Sequence, residues 1–375
     1  MKTVTKNHKA PTGRPKEVPN TEQMLTVARL FYKNELTKQE IARRERIDSR
    51  KVTALLKEAR EQGLVRINIF ETTESHLISR VQKKYPHLLN VLIVSGPETK
   101  TARQYGEFLK RAALVGANYF DELVRQHDQK KRGQPLHVGI SGGETLLEFV
   151  NAVPQRDCEN VFIHVTALVG TGRLHKSTSL VHPIVTASIL WSRAGSLPGH
   201  CEYATVSPFV TEGPGPAALA AVEEELKKVE GNKTVMEVID GMNSIDVAFA
   251  GIGMVNPVKA SNAVLKNKLT MTGLLDPIIT TSDLIQHKAE ADFSYCIIGK
   301  DGAEPPELPR FFLMAGHKSK YPGVEFYRHM VEQKKPVVVM GGPFKIPALK
   351  AGLRGKLYNV LITDQHSLEA IAKGS

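Results

Sequence analysis

The feature that most restricts the fold of this chain is an alternation. From residue 90 onward, short and nearly continuous apolar runs take turns with segments of helical periodicity. The runs are "NVLIVSG", "LHVGIS", "VFIHVTALVG", "SIDVAFAGIGMV", "DFSYCIIG", "KPVVVMGG" and "YNVLITD". Between them lie the long amphipathic "TARQYGEFLKRAALVGANYFDELVRQ" and the shorter "GGETLLEFVNAV", "SLVHPIVTASILWSRAG", "TVMEVIDGM", "FKIPALKAGLRGK" and "QHSLEAIAK". A strand that is apolar on successive residues is covered on both faces. Strands of that kind, each followed by a helix, predict an α/β fold with a doubly wound, mostly parallel sheet.

Such sheets hold ligands beyond the carboxyl ends of their strands. Glycine turns fall at those ends at residues 141–143, 170–172, 251–253 and 341–342. One such turn means little, because tight turns need glycine anyway. Four in one sheet predict a crevice for a polar ligand.

The turn in "LHVGISGGETLLEFV" admits two readings. It spells G-x-S-x-G, the turn that carries a hydrolase nucleophile, and it also fits a backbone cradle for an anion at a helix N-terminus. The chain order Ser141, Asp246, His317 satisfies a hydrolase triad, but with 13 histidines some late histidine is nearly guaranteed. Asp246 begins a strand, far from the carboxyl ends, where its expected role is to accept a backbone N–H. His175, His182 and His200 lack the i, i+4 spacing of a helical metal pair. Cys158, Cys201 and Cys296 form no C-x-x-C, so neither a disulfide framework nor a zinc site is supported. The expectation is therefore no catalytic set, no metal and no cofactor, with Ser141 donating a hydrogen bond rather than attacking. No apolar run reaches the roughly 18–20 residues of a membrane span. The basic, polar start does not read as a signal peptide, so a cytoplasmic setting is expected.

Charge separates the N-terminus from the rest. Residues 1–66 hold 16 Lys and Arg against 8 Asp and Glu, a net +8 of the chain's +11. A basic module on a near-neutral body points to a polyanion. Within "TEQMLTVARLFYKNELTKQEIARRERIDSRKVTALLKEAREQGLVRINIF", Met24, Val27, Ala28, Leu30 and Phe31 recur at helical spacing. Thr37 and Glu40 form a capping-box pattern, and Asp48 is placed to cap the next helix. Val52, Leu55, Leu56 and Ala59 make that helix's buried stripe, and "LVRINIF" alternates like a strand. Two short helices, a tight turn and a strand read as a winged helix-turn-helix for double-stranded DNA. Its second helix enters the major groove with Ser49, Arg50, Lys51 and Thr53 at the base edges. Lys38, Arg43, Arg44 and Lys57 are placed for phosphates. The organisation expected is a basic flexible arm over 1–20, the DNA-binding domain over 21–70, a linker helix over 71–88 and an effector domain over 89–375.

Four stretches in this order, "LTKQEIARRERIDSRKVTALLKEAREQGLVRI", "VGISGGETL", "DVAFAGIG" and "GGPFKIPALKAGLRGKLYNVLITD", resemble the SorC-type sugar-binding transcriptional regulators, along nearly the whole chain. The resemblance implies a regulator that binds operator DNA, responds to a sugar or sugar phosphate, and assembles as a homodimer or homotetramer. It implies an effector domain similar in fold to sugar-phosphate isomerases but without catalytic duty. The competing reading is an isomerase- or deaminase-like enzyme carrying a DNA-binding module. By the same resemblance, Ser141, Gly142, Gly143 and Thr145 form the phosphate cradle, Gly170 and Gly172 border the sugar, and Gly251 and Gly253 follow the next strand. Asp292 matches the acidic residue of the site, and Lys345 a lysine available to a phosphate. Glu144 departs from the pattern: it puts a carboxylate inside the cradle, where it can accept from sugar hydroxyls or meet an amine.

Overall fold

The structure, a computed structural model, describes residues 21–32, 34–62, 64–65, 72–131, 133–155, 162–169, 182–194, 199–203, 227, 230–255, 281–306, 308 and 323–373. The arm over 1–20, residues 66–70 of the strand expected over 64–70, Gly170, Gly172, His175, Cys158 and His317 lie outside these residues. The chain divides into two compact units, Met1–Glu71 and Thr72–Ser375.

The first unit contains α1 (Thr21–Tyr32), α2 (Lys38–Glu45) and α3 (Ser49–Glu61). Its core is Met24, Val27, Ala28, Leu30, Ile41, Val52, Leu55, Leu56 and Ala59. The helix starts follow local chemistry. The Thr37 side chain accepts from the Glu40 N–H, while the Glu40 carboxylate accepts from the Thr37 N–H at 2.7 Å. Arg46 ends α2 in the left-handed region with φ 53°. Asp48 Oδ1 then accepts the Arg50 N–H at 2.7 Å, starting α3. Caps of this kind contribute about 1 kcal/mol each, and they fix where the turn between α2 and α3 begins and ends.

The second unit contains α4 (Thr72–Lys84), β1 (Asn90–Ile93), α5 (Ala102–Lys130), β2 (Leu136–Ile140), α6 (Glu144–Ala152), β3 (Ile163–Ala167), α7 (Pro183–Ala194), β4 (Cys201–Glu202), α8 (Lys233–Gly241), β5 (Val247–Ala250), β6 (Ile252–Met254), α9 (Thr281–Gln286), β7 (Ala289–Phe293), β8 (Cys296–Gly299), α10 (Val324–Glu332), β9 (Val337–Met340), α11 (Ile346–Arg354), β10 (Val360–Thr363) and α12 (Gln365–Lys373). Seven strands form one sheet in the order β1-β10-β9-β5-β2-β3-β4, and every described pairing is parallel. β9 shows why its run is unbroken. Val338 and Met340 face the layer of α5, α6 and α7, while Val337 and Val339 face the opposite layer with α10 and α11. All four residues are buried, and full burial of such a side chain is worth about 1.5–3 kcal/mol. α4 packs on α12, with Lys84 Nζ donating to the Ile371 carbonyl at 3.1 Å.

Two of the apolar runs fold differently from their sequence reading. "DFSYCIIG" is not one strand but a hairpin, β7 and β8 reversing at Ser294 and Tyr295. Both turn residues have positive φ, 46° and 72°, in a turn that lacks the usual Asn-Gly signal. "SIDVAFAGIGMV" supplies β5 to the parallel sheet and, past Gly251, β6 to a second, antiparallel sheet in the order β6-β7-β8.

Candidate effector crevice and nucleic-acid surface

The crevice follows from strand order. Connections after β2 step toward β3 and β4, whereas those after β5 step toward β9 and β10. The direction reverses between the neighbours β2 and β5, and such a switch point leaves room for a ligand beyond the carboxyl ends. The turns at 141–143 and 251 lie at those two ends, and 341–342 ends β9 next to β5.

Ser141 is fully buried and its backbone is spoken for. Its N–H donates to the Phe249 carbonyl at 3.0 Å, and its carbonyl accepts from Thr186 Oγ1 at 2.8 Å. Its Oγ is buried without a hydrogen-bond partner among the described residues. A nucleophile needs a base within hydrogen-bond reach, and this hydroxyl has none there. Asp246 also leaves the triad. It accepts the His137 N–H at 3.2 Å and pairs with Lys131 at 3.2 Å, at the amino end of the sheet. That is four residues back from Ser141, roughly 13 Å along a strand.

Gly143 has φ 117° and caps α6 with no side-chain bond. Only glycine adopts that backbone without strain, and it offers no side chain to the first N–H groups of α6. Glu144 is exposed, while Thr145 beside it is buried. Lys345 reaches across from the short turn Pro343–Lys345 to this helix start. Its Nζ donates to the Ile252 carbonyl at 2.7 Å and to Thr145 Oγ1 at 3.4 Å. Asp292 lies opposite Gly253 in the antiparallel pairing. A Cβ on Gly253 would sit 2.1 Å from Asp292 Oδ1, and one on Gly251 would sit 2.8 Å from the Gly142 carbonyl. These two glycines are therefore gaps that the carboxylate and the facing turn occupy.

Asp292 is half-buried, yet protein surrounds it closely enough to push its carboxyl up to about 6; the Lys345 ammonium pulls the other way. Burial also raises the Tyr295 hydroxyl, with the Asp292 charge adding to it. The structure thus brings Ser141, Gly142, Gly143, Glu144, Thr145, Gly251, Gly253, Asp292 and Lys345 to one edge of the fold. Sequence reasoning missed the Ile252 carbonyl, which no side-chain pattern reveals. It also missed Tyr105 on α5, whose ring lies 5.3 Å from that of Phe344 and whose hydroxyl is buried without a described partner. His182 caps α7, its Nδ1 accepting the Ile184 N–H at 3.3 Å.

In the helical unit, Lys38, Arg43, Arg44, Ser49, Arg50, Lys51, Thr53 and Lys57 are all exposed. Thr53 Oγ1 donates back to the Ser49 carbonyl at 3.1 Å, and Lys57 pairs with Glu61 at 3.6 Å.

In fold the chain is similar to SorC, and its homologues are sugar-binding transcriptional regulators of the SorC and DeoR type. The chain is 23% identical over 361 residues to the deoxyribonucleoside regulator of Bacillus subtilis (strain 168), covering 93% of this chain and 97% of that one. It is 25% identical over 230 residues to the sorbitol operon regulator of Klebsiella pneumoniae, covering 61% and 65%. The crystal structure of the full-length sorbitol operon regulator SorC from Klebsiella pneumoniae is similar in fold, with a TM-score of 0.64, 18% identity, and coverage of 95% of this chain and all of that one. No family model matches the chain.

Proposed function

We propose that this chain is a DNA-binding transcriptional regulator whose operator affinity is set by a sugar or sugar phosphate held in the crevice. One observation carries the effector reading: Lys345 and Thr145 meet beside the start of α6, whose cap residue is a glycine, at the switch point of a parallel sheet. An ammonium, a hydroxyl and the backbone N–H groups of a helix start suit an anion, while Asp292 and the Ile252 carbonyl suit sugar hydroxyls. We assign no reaction to the site: Asp246 stands at the other end of the sheet from Ser141, and among the described residues Ser141 Oγ has no hydrogen-bond partner. Gly170 and Gly172 are proposed to border the sugar on the evidence of the sequence resemblance alone.

Ser49, Arg50, Lys51 and Thr53 at the start of α3 would read base edges, and Lys38, Arg43, Arg44 and Lys57 would meet phosphates. A homodimer or homotetramer would present paired helices to a pseudo-palindrome with half-sites one or more helical turns apart. The setting proposed is the cytoplasm; no described helix is long and apolar enough to cross a membrane. Fluorescence anisotropy on a duplex from the region upstream of the coding sequence tests the DNA half. Affinity is expected to exceed that for random duplex and to fall steeply between 50 and 200 mM salt, by about 10³-fold or more if six or more phosphates are contacted. Equal weak affinity for both duplexes would end the reading. A thermal-shift screen of sugars and sugar phosphates tests the other half.

A further inference from the structure

Away from the crevice, the antiparallel sheet borders a cavity of about 820 Å³. It lies between the end of α9, the loop after β8 and the end of α11. Small-molecule sites occupy about 300–1,000 Å³. Each of the three walls brings a cation: Lys288 after α9, Lys300 after β8 and Arg354 at the close of α11. The described carboxylates of the lining are turned to the protein. Asp301 Oδ1 accepts the Ala303 N–H at 3.0 Å. The Glu304 carboxylate lies against Gly323, where a Cβ would meet its Oε2 at 2.9 Å. The last turn of a helix favours cations, which accounts for Arg354 but not for Lys300 in the loop. Lys350, one turn earlier on α11, reports the same surplus. Burial lowers its ammonium, and the charges that lower it further, from Lys84, Arg354 and Lys300, are all cations. A concave surface lined by one sign of charge gathers the opposite sign.

The loop wall is held in place. Arg354 Nη1 donates to the Lys300 carbonyl at 3.3 Å. Arg328, on α10, donates from Nε to the Gly355 carbonyl and from Nη2 to the Gly302 carbonyl, both at 2.7 Å. Gly302, with φ 79°, sets its backbone against Gly355, and a Cβ on it would sit 2.5 Å from Gly355 Cα. The backbone that carries Lys300 and Arg354 is thus placed before any ligand arrives, which reduces the ordering that binding requires. We propose that this cavity is a second ligand site, for a small molecule carrying two or more phosphate groups. The phosphates would meet Lys288, Lys300 and Arg354, and the body of the molecule would lie along Pro305 and Pro306. The cations stand on three separate elements around a space far larger than one phosphate, so a ligand charged at more than one point fits best. The site is separate from the effector crevice and does not depend on that reading. Lys345 precedes α11 and Arg354 ends it, so nine residues, roughly 13 Å of helix, lie between the two. β7 separates them as well, with Lys288 just before its start and Asp292 near its end.

The probe is inorganic pyrophosphate, titrated calorimetrically into the full chain. Saturable binding is expected, and it should weaken about tenfold or more in a Lys288→Gln, Lys300→Gln double variant that melts no lower than the parent. The basic helical unit also attracts polyanions, so location is read separately. Lysines are acylated with an N-hydroxysuccinimide ester, with and without pyrophosphate, and the products are located by mass spectrometry. Acylation is expected to slow at Lys288 and Lys300, with Lys57 on α3 as the reference. Absence of saturable binding, undiminished binding in the folded double variant, or protection of Lys57 without protection of Lys288 and Lys300 would overturn the site. Inorganic phosphate is expected to bind about tenfold or more weaker than pyrophosphate, since it meets fewer of the cations. Equal affinity for the two would overturn the assignment to a ligand with several phosphates.

Discussion

At the amino end of the large sheet, polar groups answer one another. Asp246 accepts from the His137 N–H and from Lys131, and Ser244 Oγ lies 3.2 Å from His137 Nδ1. His137, His164 and His200 stand side by side across β2, β3 and the start of β4, with ring centroids 4.8 and 3.8 Å apart, and His200 Nε2 meets Glu202 at 2.7 Å. At the carboxyl end, Ser141 Oγ has no described partner, α6 starts without a side-chain cap, and a lysine spans the gap. One sheet thus has a saturated edge and an open one. Buried polar groups normally find partners, so density of polar residues alone does not mark a site. The mark is polar capacity left over.

The comparison breaks most readily at Gly251. Gly251→Ala places a Cβ 2.8 Å from the Gly142 carbonyl, and backbone must move to admit it. The expected result is loss of effector response with a stability loss of about 1–3 kcal/mol, read by thermal shift with ligand and by urea unfolding. Asp246→Ala at the saturated edge strands the His137 N–H and is expected to cost about 1–3 kcal/mol. There the effector response and DNA affinity should survive, and their loss would show that the two edges are not separate in function.

Acid should tell the edges apart by sign. The Asp292 carboxyl is raised to about 6 in the fold from 3.8, so the folded state binds protons more readily than the unfolded one. Its contribution is fully present below 3.8 and is lost as pH rises through about 6. Asp292→Asn is therefore expected to stabilise the protein above pH 6, by about 1–2 kcal/mol once crevice water has screened part of the shift. Burial lowers the His137 and His164 imidazoles below their usual range, and neighbouring histidines oppose protonation further. Stability at that edge is present above the unfolded value near 6.5 and is lost as pH falls below it. His164→Gln should shrink the acid loss measured by unfolding midpoints between pH 7 and 5, the smallest effect of the four.

Features set by neighbours in sequence were legible beforehand. The Thr37–Glu40 box, the Asp48 cap and the α3 stripe all depend on residues within one or two turns. The strand-and-helix order and the glycines at 141–143, 251 and 341–342 were equally readable, and Asp246 was expected to accept a backbone N–H. The antiparallel sheet was not, because nothing local to "DFSYCIIG" announces a reversal at Ser294 and Tyr295, or says which sheet Ile252 joins after Gly251. The crevice shared this divide. Its glycines and Lys345 could be named, whereas the Ile252 carbonyl that holds the lysine could not. Glu144 raised the question of a carboxylate inside an anion cradle, and in the structure that residue is exposed beside a buried Thr145.

The central claim is that the open edge controls DNA binding. The direct test is anisotropy of a labelled upstream duplex with and without a sugar or sugar phosphate that stabilises the protein, in the parent chain and in Lys345→Ala. Coupling between two such sites is typically 1–3 kcal/mol. The expected result is a shift in Kd of about fivefold or more in the parent, lost for phosphorylated ligands in the variant. An operator affinity unmoved by every ligand that binds the protein, or a phosphorylated ligand's shift that persists undiminished in Lys345→Ala, would contradict it.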